Sequence, residues 1–132
     1  MFTDEYKNEC NLLSNKIIGL AIEVHKELGA GLLESIYEEC MCFELSKAGI
    51  KFQRQNPLQI KYKGNLLDNV LRTDLIISDS VVVEIKAVES LSNLHKSQLK
   101  TYLKLTNKWL GLLVNFNCPF LDKENIKRVV LG

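Results

Sequence analysis

The stretch RTDLIISDSVVVEIKA, residues 72–87, decides how this chain is read. Its second half, continued as VVVEIKAV at 81–88, has the β-branched run of a buried strand yet carries Glu84 and Lys86. An apolar strand gains nothing by burying a carboxylate and an ammonium without partners. In a strand these two side chains share one face, and Ile85 takes the other. The preceding NVLRTDLII, residues 69–77, also reads as a strand, and Ser78-Asp79-Ser80 reads as the turn between them. With a three-residue loop and no bulge, Ile77 stands opposite Val81, Asp74 opposite Glu84 and Arg72 opposite Lys86. A two-residue loop would move the register by one and break that pairing.

Two carboxylates facing each other across a ladder repel. At about 5 Å and an effective dielectric near 20 the repulsion is about 3 kcal/mol. A divalent cation between them reverses the sign, and oxygen ligands on rigid strands suit Mg²⁺ or Mn²⁺. Lys86, on the same face, is placed to hold an attacking water or to stabilise charge developing on a phosphate. The same charges would also serve as a Glu–Lys pair on a half-exposed strand, and spacing alone leaves both readings open.

Outward from this hairpin, the period of the pattern changes. Residues 4–28 place Leu13, Ile17, Leu20, Ala21, Val24 and Leu28 at helical spacing, and GAG at 29–31 ends that helix. A second helix is expected from about Leu32 to Ala48, with Ile36, Tyr37, Cys40, Phe43 and Leu45 as its apolar positions. IKFQRQ and LQIKYK read as strands broken at Asn56-Pro57, and KGN at 63–65 as a turn. After VVVEIKAV come a helix from about Ser92 to Leu105, a strand in WLGLLVNF and a last strand in IKRVVL. The strand–helix–strand unit from Val81 to Phe116 is long enough for a right-handed parallel crossover. The fold class is therefore α/β, with a mixed central sheet flanked by helices.

The bulk numbers fit that picture. The 132 residues suffice for one domain with a real core, taken as 1–132, and 46% apolar with 25% charged residues is ordinary for a globular chain. A net charge of +1 does not announce a nucleic-acid binder, although a local patch can act where the total does not. Cys10, Cys40, Cys42 and Cys118 form no C-x-x-C pair and read as small buried residues of a reducing compartment. The first ten residues lack an apolar leader, and no run reaches membrane-spanning length, so a cytoplasmic protein is expected.

The residues around the hairpin resemble a known family. RTDLIISDSVVVEIKA is similar to the PD-(D/E)xK nuclease signature, an Asp followed about ten residues later by E-x-K. GLLESIY at 31–37 resembles the G-x-x-E-x-x-Y motif that names one branch of that superfamily, the GxxExxY proteins. HKSQLKTYL carries Gln98 and Tyr102 like the Q-x-x-x-Y helix of RecB-type nucleases. The similarity spans roughly Ile17 to Phe116, with Thr73 where the named motif has Pro. It implies a restriction-endonuclease-like core of order αβββαβ. It also implies metal ligation by Asp74 and Glu84, with the Ile85 carbonyl completing the set, and Lys86 as catalytic lysine. Glu34 corresponds to the acid that many members carry on the helix before the sheet, reaching the metal directly or through water.

Other side chains support or dilute this reading. Gln98 falls inside the apolar arc of Leu91, Leu94, Leu99, Tyr102, Leu103 and Leu105, so a buried amide is expected. Such an amide needs a partner: a metal-bound water, a phosphate, the Lys86 neighbourhood or backbone. Tyr102 is expected to pack in the core with its hydroxyl at the edge. His95 is read as structural or surface, and Lys96, Lys100 and Lys104 as a solvated face. Lys51 and Arg54 in KFQRQ form a further contact strip. The function implied is metal-dependent hydrolysis of DNA phosphodiester bonds with Mg²⁺ or Mn²⁺. The alternative is a catalytically inactive module of the same fold that binds nucleic acid or a protein partner. No membrane is involved in either, and a second copy in a homodimer, or a protein partner, would supply the recognition surface that so small a core lacks.

Overall fold

A computed structural model describes the backbone of all 132 residues and every side chain except those of 69 and 70. Helix α1, Asp4–Leu28, begins at Thr3, whose hydroxyl accepts the Tyr6 N–H. It ends where Gly29 turns to φ 68°. Helix α2 is Glu34–Lys47, followed by strands β1 Phe52–Tyr62, β2 Asn65–Ile77 and β3 Val81–Lys86. Helix α3, Asn93–Thr106, leads to β4, Leu110–Asn115, and β5, Ile126–Val130.

The strands form one mixed sheet in the order β1-β2-β3-β4-β5. β3 and β4 run parallel across the α3 crossover, and the other neighbours are antiparallel. The three-residue loop holds: Ile77 pairs with Val81, Ile76 with Val82 and Leu75 with Val83. Ser78 and Asp79 adopt φ of 51° and 52° to make it, and Ser80 N–H donates to the Ile77 carbonyl at 2.9 Å.

Alternation along the strands sorts two cores onto the two faces. Leu75, Ile77, Val81, Val83 and Ile85 pack under α1 and α2 against Ile17, Ala21, Tyr37, Met41 and Leu45. Ile76 and Val82 pack on the opposite face with Leu113, Leu99 and Leu103 under α3. Each buried Val, Leu, Ile or Met among them contributes about 1.5–3 kcal/mol relative to exposure. Glu84 and Lys86 follow Val82 in parity and so belong to the α3 face. α3 lies close because Gly111 has no side chain: a Cβ there would stand 2.8 Å from Leu99 Cδ1.

Three expectations need correction. β1 is continuous through Asn56-Pro57, because it is an edge strand and the missing proline N–H can face outward. On α2 the buried set is Tyr37, Glu38, Met41, Cys42 and Leu45, whereas Ile36 is 40% and Phe43 67% exposed. The helix is rotated toward an acid, Glu38, whose partners come from β1. The β2–β3 ladder also stops at Leu75↔Val83, so Arg72 does not pair with Lys86 and instead donates to the Gln55 carbonyl at 3.3 Å. All four cysteines are free, with Cys40 half-buried and the others buried. Among the described residues no helix is long and apolar enough to cross a membrane.

Candidate active site

The sheet forks where the two carboxylates meet. β2 remains with β1 as far as its outer end, and β3 remains with β4 through Lys86↔Asn115, while β2 and β3 part beyond Leu75↔Val83. Side chains take over the lost ladder. Asp74 N–H donates to Glu84 Oε2 at 2.7 Å, and Ile85 N–H donates to Asp74 Oδ2 at 2.8 Å. Each carboxyl group is thus held through one oxygen by the opposite strand, in place of two ordinary backbone bonds.

This arrangement concentrates negative charge out of water. Glu84 is 4% exposed, and burial, then the Asp74 charge, lift its carboxyl from 4.5 to about 8. Asp74 is also raised, first by burial and then by the charge of Glu38, against the lowering effect of the Ile85 N–H. Lys86 acts in the opposite direction on both acids. Its ammonium makes no ion pair among the described residues. Glu84 Oε1 accepts no hydrogen bond there either.

Helix α3 supplies the wall. Ser92 and His95 form a reciprocal capping box, in which His95 Nδ1 accepts the Ser92 N–H at 3.0 Å and Ser92 Oγ accepts the His95 N–H at 3.3 Å. His95 is therefore a structural residue. Tyr102 is half-buried, and burial, then the Glu84 and Asp74 charges, push its hydroxyl above the ordinary tyrosine value. Gln98 is exposed and makes no hydrogen bond among the described residues, contrary to the expected buried amide. The apolar stripe of α3 is narrower than its sequence suggests: Leu99 and Leu103 are buried, while Leu94 is 66% exposed. Lys96, Lys100 and Lys104 lie on the solvent side as expected.

Glu34 opens α2 and is exposed, and its Oε2 accepts the Ala87 N–H at 3.1 Å, one residue beyond Lys86. Among the described residues no three acidic, histidine or cysteine side chains gather as a group able to hold a metal, so Glu34 does not join Asp74 and Glu84 in one cluster. The acid of α2 whose charge reaches the pair is Glu38, one turn further on. Tyr37 is structural: its hydroxyl donates to Gly29 O at 2.6 Å and accepts from Leu32 N–H at 3.2 Å, and its ring stacks on Phe116 at 4.5 Å.

Three residues beside the site carry little signal in the sequence. Glu38 is 6% exposed and accepts from Arg54 Nε at 2.6 Å and Gln55 Nε2 at 2.7 Å. Gln55 also donates to Asp74 Oδ1 at 3.3 Å. Asn115, fully buried at the end of β4, accepts from Val88 N–H at 3.0 Å and donates to Val88 O at 2.9 Å. With Phe116 N–H donating to the Lys86 carbonyl at 2.9 Å, it pins the chain just past the lysine. The adjacent Arg54-Gln55 pair and an acid directly after Tyr37 were the available signals. Nothing local joins them across 16 or 17 residues.

A family model described as the PD-(D/E)XK nuclease superfamily matches residues 11–129. Comparison with curated proteins finds no match. Among solved structures, one described as "Crystal structure of SSO0001" aligns with a TM-score of 0.55 at 23% identity, over 74% of this chain and 50% of that one. At that identity the likeness concerns the fold, and this chain spans half the length of the solved one. The forked hairpin with its facing carboxylates and nearby lysine, together with a match over most of the length, places the chain in the PD-(D/E)XK nuclease superfamily.

Proposed function

We propose that this chain hydrolyses phosphodiester bonds in DNA with a divalent cation, Mg²⁺ or Mn²⁺, and that it belongs to the GxxExxY branch of its superfamily through Gly31, Glu34 and Tyr37. The observation that carries the reading is the reciprocal anchoring of Asp74 and Glu84, each fixed by one oxygen to the facing strand. Two all-oxygen donors on rigid strands, short of positive charge and with no hydrogen bond to Glu84 Oε1 among the described residues, fit a hard dication. Asp74, Glu84 and the Ile85 carbonyl would hold it. What the cation supplies when bound is an acidified water and compensation of charge on the scissile phosphate.

The remaining roles belong to the chain's own groups. Lys86 orients the attacking water and balances the phosphate, since no protein anion claims its ammonium among the described residues. Glu34 holds the end of β3 through Ala87 and reaches the cation through water. Tyr102 and Gln98 shape the α3 wall, Tyr102 toward the carboxylates and Gln98 toward arriving substrate.

The test is cleavage of single-stranded, double-stranded and branched DNA with Mg²⁺, Mn²⁺ or EDTA, beside Glu84→Ala and Lys86→Ala. Metal-dependent cutting that both substitutions abolish is the expected result. Absence of both cutting and metal binding in the wild-type protein would refute the enzyme and leave a binding module of nuclease fold.

A further inference from the structure

We propose that Gln55, held in place by Glu38, is a positioning residue for Asp74, an inference that rests on the metal-site reading above. Gln55 lies opposite Asp74 in the β1–β2 register, between the pairs Arg54↔Leu75 and Asn56↔Thr73, but is itself absent from the ladder. Its φ is 52°, a left-handed conformation in the middle of a strand. A non-glycine residue keeps such a backbone only where its surroundings over-determine it. Here the surroundings are two carboxylates. Gln55 Nε2 donates to Glu38 Oε1 at 2.7 Å and to Asp74 Oδ1 at 3.3 Å.

The chemistry fixes the orientation of the amide. Only the NH₂ end can serve two carboxylate acceptors, and the flipped amide would set its carbonyl against both. Glu38 is in turn anchored by Arg54 at 2.6 Å, so the contacts run from Arg54 through Glu38 and Gln55 to Asp74. Asp74 then has Oδ2 fixed by Ile85 N–H and Oδ1 fixed by Gln55. Without Gln55 the carboxylate keeps one tether and can rotate about it. Groups that orient a ligating side chain in this way change metal affinity by about tenfold to a hundredfold when removed.

The variant Gln55→Gly separates this role from folding, because glycine loses the amide yet suits the positive φ. Two readouts are needed. One is amide hydrogen exchange at Ile85, without metal, with Val83 in the intact ladder as reference. The other is Mn²⁺ binding by calorimetry. Faster exchange at Ile85 with Val83 unchanged, a Kd for Mn²⁺ raised about tenfold and cleavage recovered at saturating Mn²⁺ support the assignment. Unchanged Ile85 exchange or unchanged Mn²⁺ affinity overturns it. A wild-type protein that binds no Mn²⁺ overturns the metal reading itself, and this role with it; there the wild type is silent, not only the variant. If Gln55→Gly does not fold, Gln55→Asn, which tolerates positive φ but is one carbon short, carries the same expectation.

Discussion

The charge at the fork makes folding stability fall with rising pH, and Glu84→Gln isolates that effect. Below about pH 4.5 Glu84 is protonated in both folded and unfolded chains. Between there and about 8 the unfolded chain releases the proton while the folded chain keeps it, so each rise in pH favours unfolding. Above about 8 both states are ionised and the loss is complete. Asp74, also raised, contributes with the same sign. Carrying the carboxyl from 4.5 to about 8, at about 1.4 kcal/mol per pH unit, sets a ceiling of about 5 kcal/mol. Gln at 84 keeps a carbonyl oxygen for the Asp74 N–H and removes the charge. In urea unfolding with EDTA, the stability of Glu84→Gln relative to wild type should therefore climb across pH 4.5–8. Mn²⁺ should remove much of that difference by stabilising only the wild type. A difference that stays flat or shrinks over this range would refute the claim that buried, facing carboxylates strain the fold.

Other measurements bear on the same architecture. Divalent-cation binding should tighten as pH rises from 6 to 8.5, because the cation displaces the proton held by the pair; calorimetry on wild type and Asp74→Ala, which should not bind, checks this. Gly111→Ala drives a methyl against Leu99 and should cost about 1–3 kcal/mol, read as a lowered Tm. Asn115→Ala strands the Val88 N–H, while the Val88 carbonyl keeps Asn117 Nδ2 at 3.3 Å, and should cost about 1–3 kcal/mol, with faster exchange in the segment after Lys86. Gln98→Ala, at an exposed position, should change stability by less than about 0.5 kcal/mol, so any loss of DNA cleavage it causes reports on function alone.

Much of this protein was legible in the linear chain because its signals are local. Strand parity and a three-residue turn set the pairing of Ile77 with Val81 and put Asp74 and Glu84 one step beyond the last ladder pair, where Asp74 N–H meets Glu84 Oε2. The element order and the helix ends at Gly29 and Ser92 follow from periodicity and capping chemistry. Tertiary structure decided what parity cannot see. β2 follows β1 and β3 follows β4, so the hairpin opens at the acids, and carboxylates replace the ladder. Glu38 turns inward only because Arg54 and Gln55 arrive from another element to satisfy it. Gln98 is left in solvent because α3 packs on the sheet through Leu99 and Leu103, though the apolar arc around it looks buried on a helical wheel. A buried charge needs a partner, and the partners of this site are 10 to 19 residues away in sequence and within 3.3 Å in space.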